Sequence, residues 1–303
     1  MNKYGFVFAG QGAQFVGMGK SLYDLYPEVR SLYSKASSIL GYDLANICFY
    51  EKDLLDQTKY AQPAIMVTSY CLYQVLIKET LIMPEIITGF SLGEYTALLA
   101  SGAISFSQAV ELLERRAHFM MESSKKNKGA MAAIIVYPRI SLDKLCQEVG
   151  DVSIANYNCP TQLVISGKYS SVLKVCELAK QDGARRTVLL NVSGAFHTEF
   201  MMDAAKNMKN YIKDYNFSLP KIRIIMNCDR SLLEERDLKE LLVKQIVSPV
   251  YFEDSIKDMI NIYGVNTFVE IGPGNVLSGF IKKIDSSKEV ISINSITDIQ
   301  NIK

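Results

Sequence analysis

Histidine is scarce in this chain: only His118 and His197 occur among 303 residues. Chemistry that needs an imidazole must draw on one of those two. Excess charge of one sign is also lacking. A net charge of +1 gives neither nucleic acid nor an anionic membrane a reason to bind. The six cysteines (Cys48, Cys71, Cys146, Cys159, Cys176 and Cys228) include no C-x-x-C pair. Their scatter points to neither a metal site nor a disulfide framework, and a reducing cytoplasm is the simplest setting. No apolar run approaches the ~18 residues of a membrane span. Met1-Asn2-Lys3-Tyr4 runs into a strand-like segment without the apolar core and cleavage site of a signal peptide. Internal repeats and low-complexity tracts are absent too.

What is present is an apolar-rich chain, 49% hydrophobic and 21% charged, long enough for one large α/β domain or two unequal ones. Gly5–Ala9 reads as a buried strand ending in the loop Gly10-Gln11-Gly12-Ala13-Gln14. Helical periodicity covers Met18–Leu40, broken near Pro27, and Gln62–Glu79, with Pro63 in the first turn. Ser105 reads as the N-cap of a helix running to Met121. From about residue 126 the order becomes strand 130–136, helix 142–149, strands 152–155 and 162–166, helix 170–180, strand 186–190. That β-α-β-β-α-β order is the ferredoxin-like unit. Helix 197–215, strand 222–226, helices 238–246 and 252–263, strand 267–271, a helix to Lys283 and strand 290–293 then complete the larger unit. Alternating strands and helices predict a largely parallel sheet covered on both faces. The expected division is a large domain of residues 1–125 and 193–303 with a small subdomain, 126–192, inserted in it.

Ile86-Ile87-Thr88 leads into Gly89-Phe90-Ser91-Leu92-Gly93, and the helix-compatible Glu94–Ala100 follows at once. Strand, G-x-S-x-G turn and helix form the context of a nucleophile elbow in an α/β-hydrolase-like fold. A turn with a capping serine is the plainer alternative. A serine nucleophile needs a base. His118 lies mid-helix, whereas His197 follows a glycine-containing loop at a strand end, and loops on rigid elements favour catalytic groups. No Asp or Glu stands out as a third member, so a Ser91–His197 dyad fits better than a triad. The N–H groups of Leu92 and Gln11 are candidates for an oxyanion hole. Of Arg115 and Arg116, one must face inward or along the helix edge. An inward arginine matches a substrate carboxylate or a salt bridge to Glu94, Glu111 or Glu114, and spacing leaves both open.

The landmarks Gly10-Gln11-Gly12-Ala13-Gln14, Gly89–Glu94, Arg116, Ala195-Phe196-His197, Gln245 ahead of Pro249-Val250, and Gly272-Pro273-Gly274 occur in one order over essentially the whole chain. In that order they resemble the malonyl-CoA:acyl-carrier-protein transacylase family, which includes acyltransferases of fatty-acid and polyketide synthesis. The resemblance implies that Ser91 takes malonyl from coenzyme A as an ester and that His197 is its base. It implies that the Gln245 carbonyl holds the histidine, that Gln11 and Leu92 hold the oxyanion, and that Arg116 pairs with the malonyl carboxylate. Asn156 and Asn158 match polar positions near the site, and Phe196 matches a malonyl-selective position. The implied partners are malonyl-CoA and the phosphopantetheine of an acyl carrier protein. The expectation is a cytoplasmic monomer with no resident cofactor or metal. Lys125, Lys126, Lys128, Lys282 and Lys283 are available to an acidic carrier protein. Phe90 departs from the family's usual histidine, which puts contacts at the substrate entrance in question and leans toward a specialised polyketide enzyme. A hydrolase clearing carrier-bound acyl groups and an inactive docking subunit are the rival readings.

Overall fold

The computed structural model describes residues 2–192, 194–233 and 237–302. The expected return to the large domain at Ser193 lies outside the described residues. The first strand, β1 (Tyr4–Phe8), is buried over its last four residues. Helices α1 (Lys20–Leu25), α2 (Pro27–Leu40), α3 (Leu44–Tyr50) and the single turn α4 (Lys52–Leu55) follow. Pro27 opens α2 at a position where its missing N–H is harmless.

The long helix α5 (Thr58–Thr80) begins earlier than its periodicity suggests, so Pro63 lies inside it rather than in its first turn. Its buried residues run all around the cylinder, from Ala61 to Leu76, which is why it shows little amphipathic signal. Strand β2 (Pro84–Gly89) leads through the G-x-S-x-G turn into α6 (Gly93–Ala100). Helix α7 (Phe106–Lys126) starts at a full capping box, with Ser105 and Gln108 each accepting from the other's backbone N–H.

The ferredoxin-like unit contains β3 (Gly129–Ile135), α8 (Arg139–Val149), β4 (Val152–Cys159), β5 (Gln162–Lys168), α9 (Tyr169–Gln181) and β6 (Arg186–Leu189). Its antiparallel sheet has the order β4-β5-β3-β6. Strand β4 is longer than expected: residues 156–159 belong to it rather than to a loop. Asparagine is a poor strand former. Here tertiary pairing decides, through Asn156 opposite Val164, Tyr157 opposite Leu163 and an added parallel bridge from Asn156 to Val250.

A short 3-10 turn (Glu199–Met201) then leads to α10 (Met202–Ile212), so the helix expected from His197 starts later. The remaining elements are β7 (Arg223–Ile224), α11 (Leu238–Val247), α12 (Phe252–Asn261), β8 (Thr267–Ile271), α13 (Val276–Ile284), β9 (Glu289–Ile293) and α14 (Ile296–Gln300). Strand β7 keeps only two of the five residues expected of it. The larger sheet has the order β7-β2-β1-β8-β9, with every neighbouring pair parallel. The α/β class, with a parallel sheet and a smaller antiparallel one, is as the sequence predicts. In such a sheet, sites form beyond the carboxyl ends of the strands, and β1 and β2 both end where Ser91 lies.

Candidate active site

The turn after β2 is as sharp as its glycines imply. A Cβ on Gly89 would strike the Gly93 carbonyl, and one on Gly93 would strike the Phe8 carbonyl oxygen. Strand and helix therefore approach more closely than any other residue permits. Ser91 sits between them at φ 54°, a left-handed conformation that serine rarely adopts. Asn227 holds it there. The Ser91 N–H donates to Asn227 Oδ1 at 2.8 Å, and Asn227 Nδ2 donates to the Gly89 carbonyl at 2.7 Å.

Ser91 Oγ lies 2.8 Å from His197 Nε2. On the other side of the ring, Nδ1 faces the main-chain oxygens of Gln245 at 3.0 Å and Ser248 at 3.2 Å. Carbonyl oxygens only accept, so Nδ1 carries the proton and Nε2 is left to accept from the serine hydroxyl. His197 is itself at φ 61°. Burial, together with the nearby Arg116 charge, pushes its pKa down to about 4. His118 is exposed on α7, its ring edge-on to Phe119, and takes no part in this cluster.

Arg116 lies on the buried stripe of α7 with Ala109, Leu112, Leu113 and Met120. Arg115 points outward, pairing with Glu114 at 3.3 Å and lying over Tyr211. Arg116 is 1% exposed. Its hydrogen bonds among the described residues all go to neutral oxygens: Gln62 Oε1 at 2.9 Å, Gln245 Oε1 at 3.1 Å and Ser91 Oγ at 3.1 Å. Arg116 Nε has no partner there. Glu94, one of the three carboxylates expected as a salt-bridge partner, is reached only indirectly. Gln245 Nε2 donates to Glu94 Oε1 at 2.7 Å and to the Ser91 carbonyl at 3.0 Å. The Asn227 N–H donates to Glu94 Oε2 at 2.5 Å. Burial pushes Glu94 up to about 8 against these hydrogen bonds.

Around Ser91 opens a cavity of about 470 Å³. Gln11, Arg116, Phe196 and His197 line it from the larger unit, and Asn156, Asn158 and Val164 from the smaller. The side chain of Gln11 is anchored by its donation to Thr58 Oγ1 at 3.1 Å. Neither the Gln11 nor the Leu92 N–H is paired with an acceptor among the described residues. Phe90 is also at the cavity wall, edge-on to Phe252 at 5.5 Å and tilted against Phe280 at 6.3 Å. Position 90 thus contributes to an aromatic cluster at the cavity wall. Among the described residues, no three His, Cys, Asp or Glu side chains gather to hold a metal.

A serine hydroxyl against a neutral imidazole shares one cavity with a buried guanidinium whose hydrogen bonds among the described residues go to neutral oxygens, a set suited to acyl transfer. The acyl transferase domain family matches residues 5–300 of this chain. The chain is 41% identical to a malonyl CoA-acyl carrier protein transacylase of Bacillus subtilis, over 97% of this chain and 94% of that protein. The chain belongs to the malonyl-CoA:acyl-carrier-protein transacylase family. Solved structures of the family superpose closely. The MCAT from Streptococcus pneumoniae is 39% identical with a TM-score of 0.94, covering 99% of both chains. A malonyl-transacylase solved with its type II PKS acyl-carrier protein is 32% identical with a TM-score of 0.95, covering 99% of this chain and 98% of that one.

The sequence alone did not single out Asn227, Gln62, Ser248 or Glu270 for this cluster, and it gave Glu94 no role beyond that of a possible salt-bridge partner of Arg116. Gln62 lies one residue before Pro63 in a helix read as core. Ser248 acts through its main-chain oxygen, which carries no side-chain signal. Glu270, on β8, lines the cavity, where its carboxylate accepts from the Leu277 N–H at 3.0 Å and the Ser278 N–H at 2.7 Å. The motif Glu270-Ile271-Gly272-Pro273-Gly274 was a visible signal for it, since an acidic residue favours a helix N-terminus.

Proposed function

We propose that the chain transfers a malonyl group from malonyl-CoA to the phosphopantetheine thiol of an acyl carrier protein, through an ester on Ser91. The buried Arg116 guanidinium carries this reading: it lies 3.1 Å from Ser91 Oγ and its partners are neutral oxygens. A carboxylate two bonds beyond the reacting carbonyl satisfies it. Without one, a buried charge stays unpaired, a penalty of ~3–5 kcal/mol.

In this mechanism His197 Nε2 takes the proton of Ser91 as Oγ attacks the thioester carbonyl. The Gln11 and Leu92 N–H groups hold the oxyanion, at ~3 kcal/mol each. The proton then passes to the sulfur of coenzyme A as the C–S bond breaks. In the second half His197 takes the carrier thiol's proton, the thiolate attacks the seryl ester, and the proton returns to Ser91. The carbonyls of Gln245 and Ser248 orient the imidazole where a triad would use a carboxylate. Asn156 and Asn158 contribute polar contacts from the smaller unit, and Phe196 crowds an α-branched acyl group. No resident cofactor or metal enters these steps.

We assign the chemistry to the large domain, residues 1–125 and 193–303, with the 126–192 subdomain closing the cavity. A cytoplasmic setting is part of the proposal, since all six cysteines are buried free thiols. The hydrolase reading is disfavoured because a general acyl hydrolase gains nothing from Arg116. Incubation with malonyl-CoA and a panel of holo carrier proteins tests the proposal. Malonylated carrier protein supports transfer, whereas release of free malonate as the main product supports the hydrolase.

A further inference from the structure

Two side chains converge on one oxygen. His197 Nε2 lies 2.8 Å from Ser91 Oγ and Arg116 Nη2 lies 3.1 Å from it. Among the described residues, the far side of the imidazole meets only the neutral main-chain oxygens of Gln245 and Ser248. Arg116 of α7 shares Ser91 Oγ with it. Glu94 of α6 is separated from the guanidinium by the Gln245 side chain. Asp56 and Glu270 line the same cavity, and Glu270 is committed to the start of α13. No carboxylate of the described residues hydrogen-bonds His197.

When His197 takes the serine proton it becomes an imidazolium. In a triad, a carboxylate compensates that charge. Here the charge beside the ring is a guanidinium of the same sign, in a cavity where water screens little. The dyad is therefore opposed by its own neighbour for as long as the guanidinium has no anion.

We propose that the substrate's own carboxylate supplies the missing negative charge: seated on Arg116, it neutralises the guanidinium and lets His197 hold the Ser91 proton. This rests on the malonyl transfer proposed above. Arg116 is then a brake on the dyad as well as a clamp. The proton moves from Ser91 Oγ to His197 Nε2 as the Oγ–carbon bond forms, and leaves on sulfur as the C–S bond breaks, so no co-reactant is needed. A neutral acyl thioester that reaches the cavity meets a base still opposed by Arg116. In the malonyl ester the carboxylate stays on Arg116, so the base remains competent when the carrier thiol arrives.

Having only two histidines makes the test direct, because exposed His118 serves as an internal reference. Ring-nitrogen NMR of a Ser91→Ala variant, which can bind but not react, gives the His197 titration midpoint free, with saturating malonyl-CoA and with saturating acetyl-CoA. Malonyl-CoA is expected to raise the midpoint by at least about one pH unit, a tenfold gain in proton affinity. Acetyl-CoA leaves it in place, and adding Arg116→Gln raises it without ligand. In the wild-type enzyme, the acid limb of kcat lies at higher pH with malonyl-CoA than with acetyl-CoA. Coincident midpoints and limbs for the two thioesters, in an enzyme that malonylates Ser91, overturn this inference alone. Failure to malonylate Ser91 overturns the function and this inference with it.

Discussion

At Ser91 and at His197 the backbone occupies the left-handed region, with φ of 54° and 61°. Two non-glycine residues held this way cost roughly 1–3 kcal/mol each, strain that a site can use to fix its geometry. Asn227 offsets part of it for Ser91. Asn227→Ala is expected to strand the Ser91 N–H and the Gly89 carbonyl, lowering stability by about 1–3 kcal/mol and turnover more than ten-fold. Urea melts and acyl-transfer rates check both. Arg116→Ala is expected to erase most of the preference for malonyl-CoA over acetyl-CoA; an unchanged ratio of kcat/KM values refutes the clamp. His197→Ala is expected to remove nearly all turnover and His118→Ala to change it by no more than a few-fold. The His197 pKa also bears on stability. It is lowered on folding, so between pH 6.5 and about 4 the unfolded chain binds a proton that the folded one does not. Stability therefore decreases as pH is lowered through that window, by up to about 3 kcal/mol from this residue. The fall is expected to shrink in His197→Gln, measured against wild type so that the opposite contribution of Glu94 cancels. At this scale the sequence was informative where chemistry needs a rare side chain. Two histidines could be ranked, but main-chain acceptors such as Ser248 and an amide such as Asn227 leave no mark.

Helix α7 shows how an element delivers a charge to the core. Its capping box fixes where the helix starts, and the 3.6-residue repeat then carries Arg116 onto the same stripe as Leu112, Leu113 and Met120. Ser105→Ala is expected to cost about 1 kcal/mol in denaturant unfolding while leaving KM and kcat within two-fold. Loss of activity without loss of stability contradicts a purely capping role. The start of α6 is less forgiving. Gly93→Ala drives a methyl into the Phe8 carbonyl, so about 3 kcal/mol of stability or more is expected to go, with the geometry of Ser91. Elements with one clear period, such as α7, were legible from sequence. Helix α5 hid its first turn because it is buried on every side, and β4 hid its last residues because Val250, far along the chain, pairs with them.

At the scale of the whole molecule, the cavity needs both sheets. Strand β4 is tied to the larger unit by main-chain bonds of 2.9 Å from the Tyr157 N–H to the Val250 carbonyl and from the Val250 N–H to the Ala155 carbonyl. Above them Tyr157 stacks on Tyr251 at 5.0 Å, with the Arg139 guanidinium 3.8 Å from the Tyr157 ring centre. Arg139 also reaches Asp254 at 3.3 Å. This seam sets where Asn156 and Asn158 stand. Long-range ties of this kind cannot be read from periodicity, although the two units themselves were visible in the order of strands and helices. The central claim concerns a covalent step, and intact-protein and peptide mass spectrometry after mixing with malonyl-CoA reaches it most directly. A malonyl adduct on the peptide containing Ser91, absent from Ser91→Ala and discharged by a holo carrier protein, is the expected result. No adduct, or an adduct seated on another residue, contradicts it.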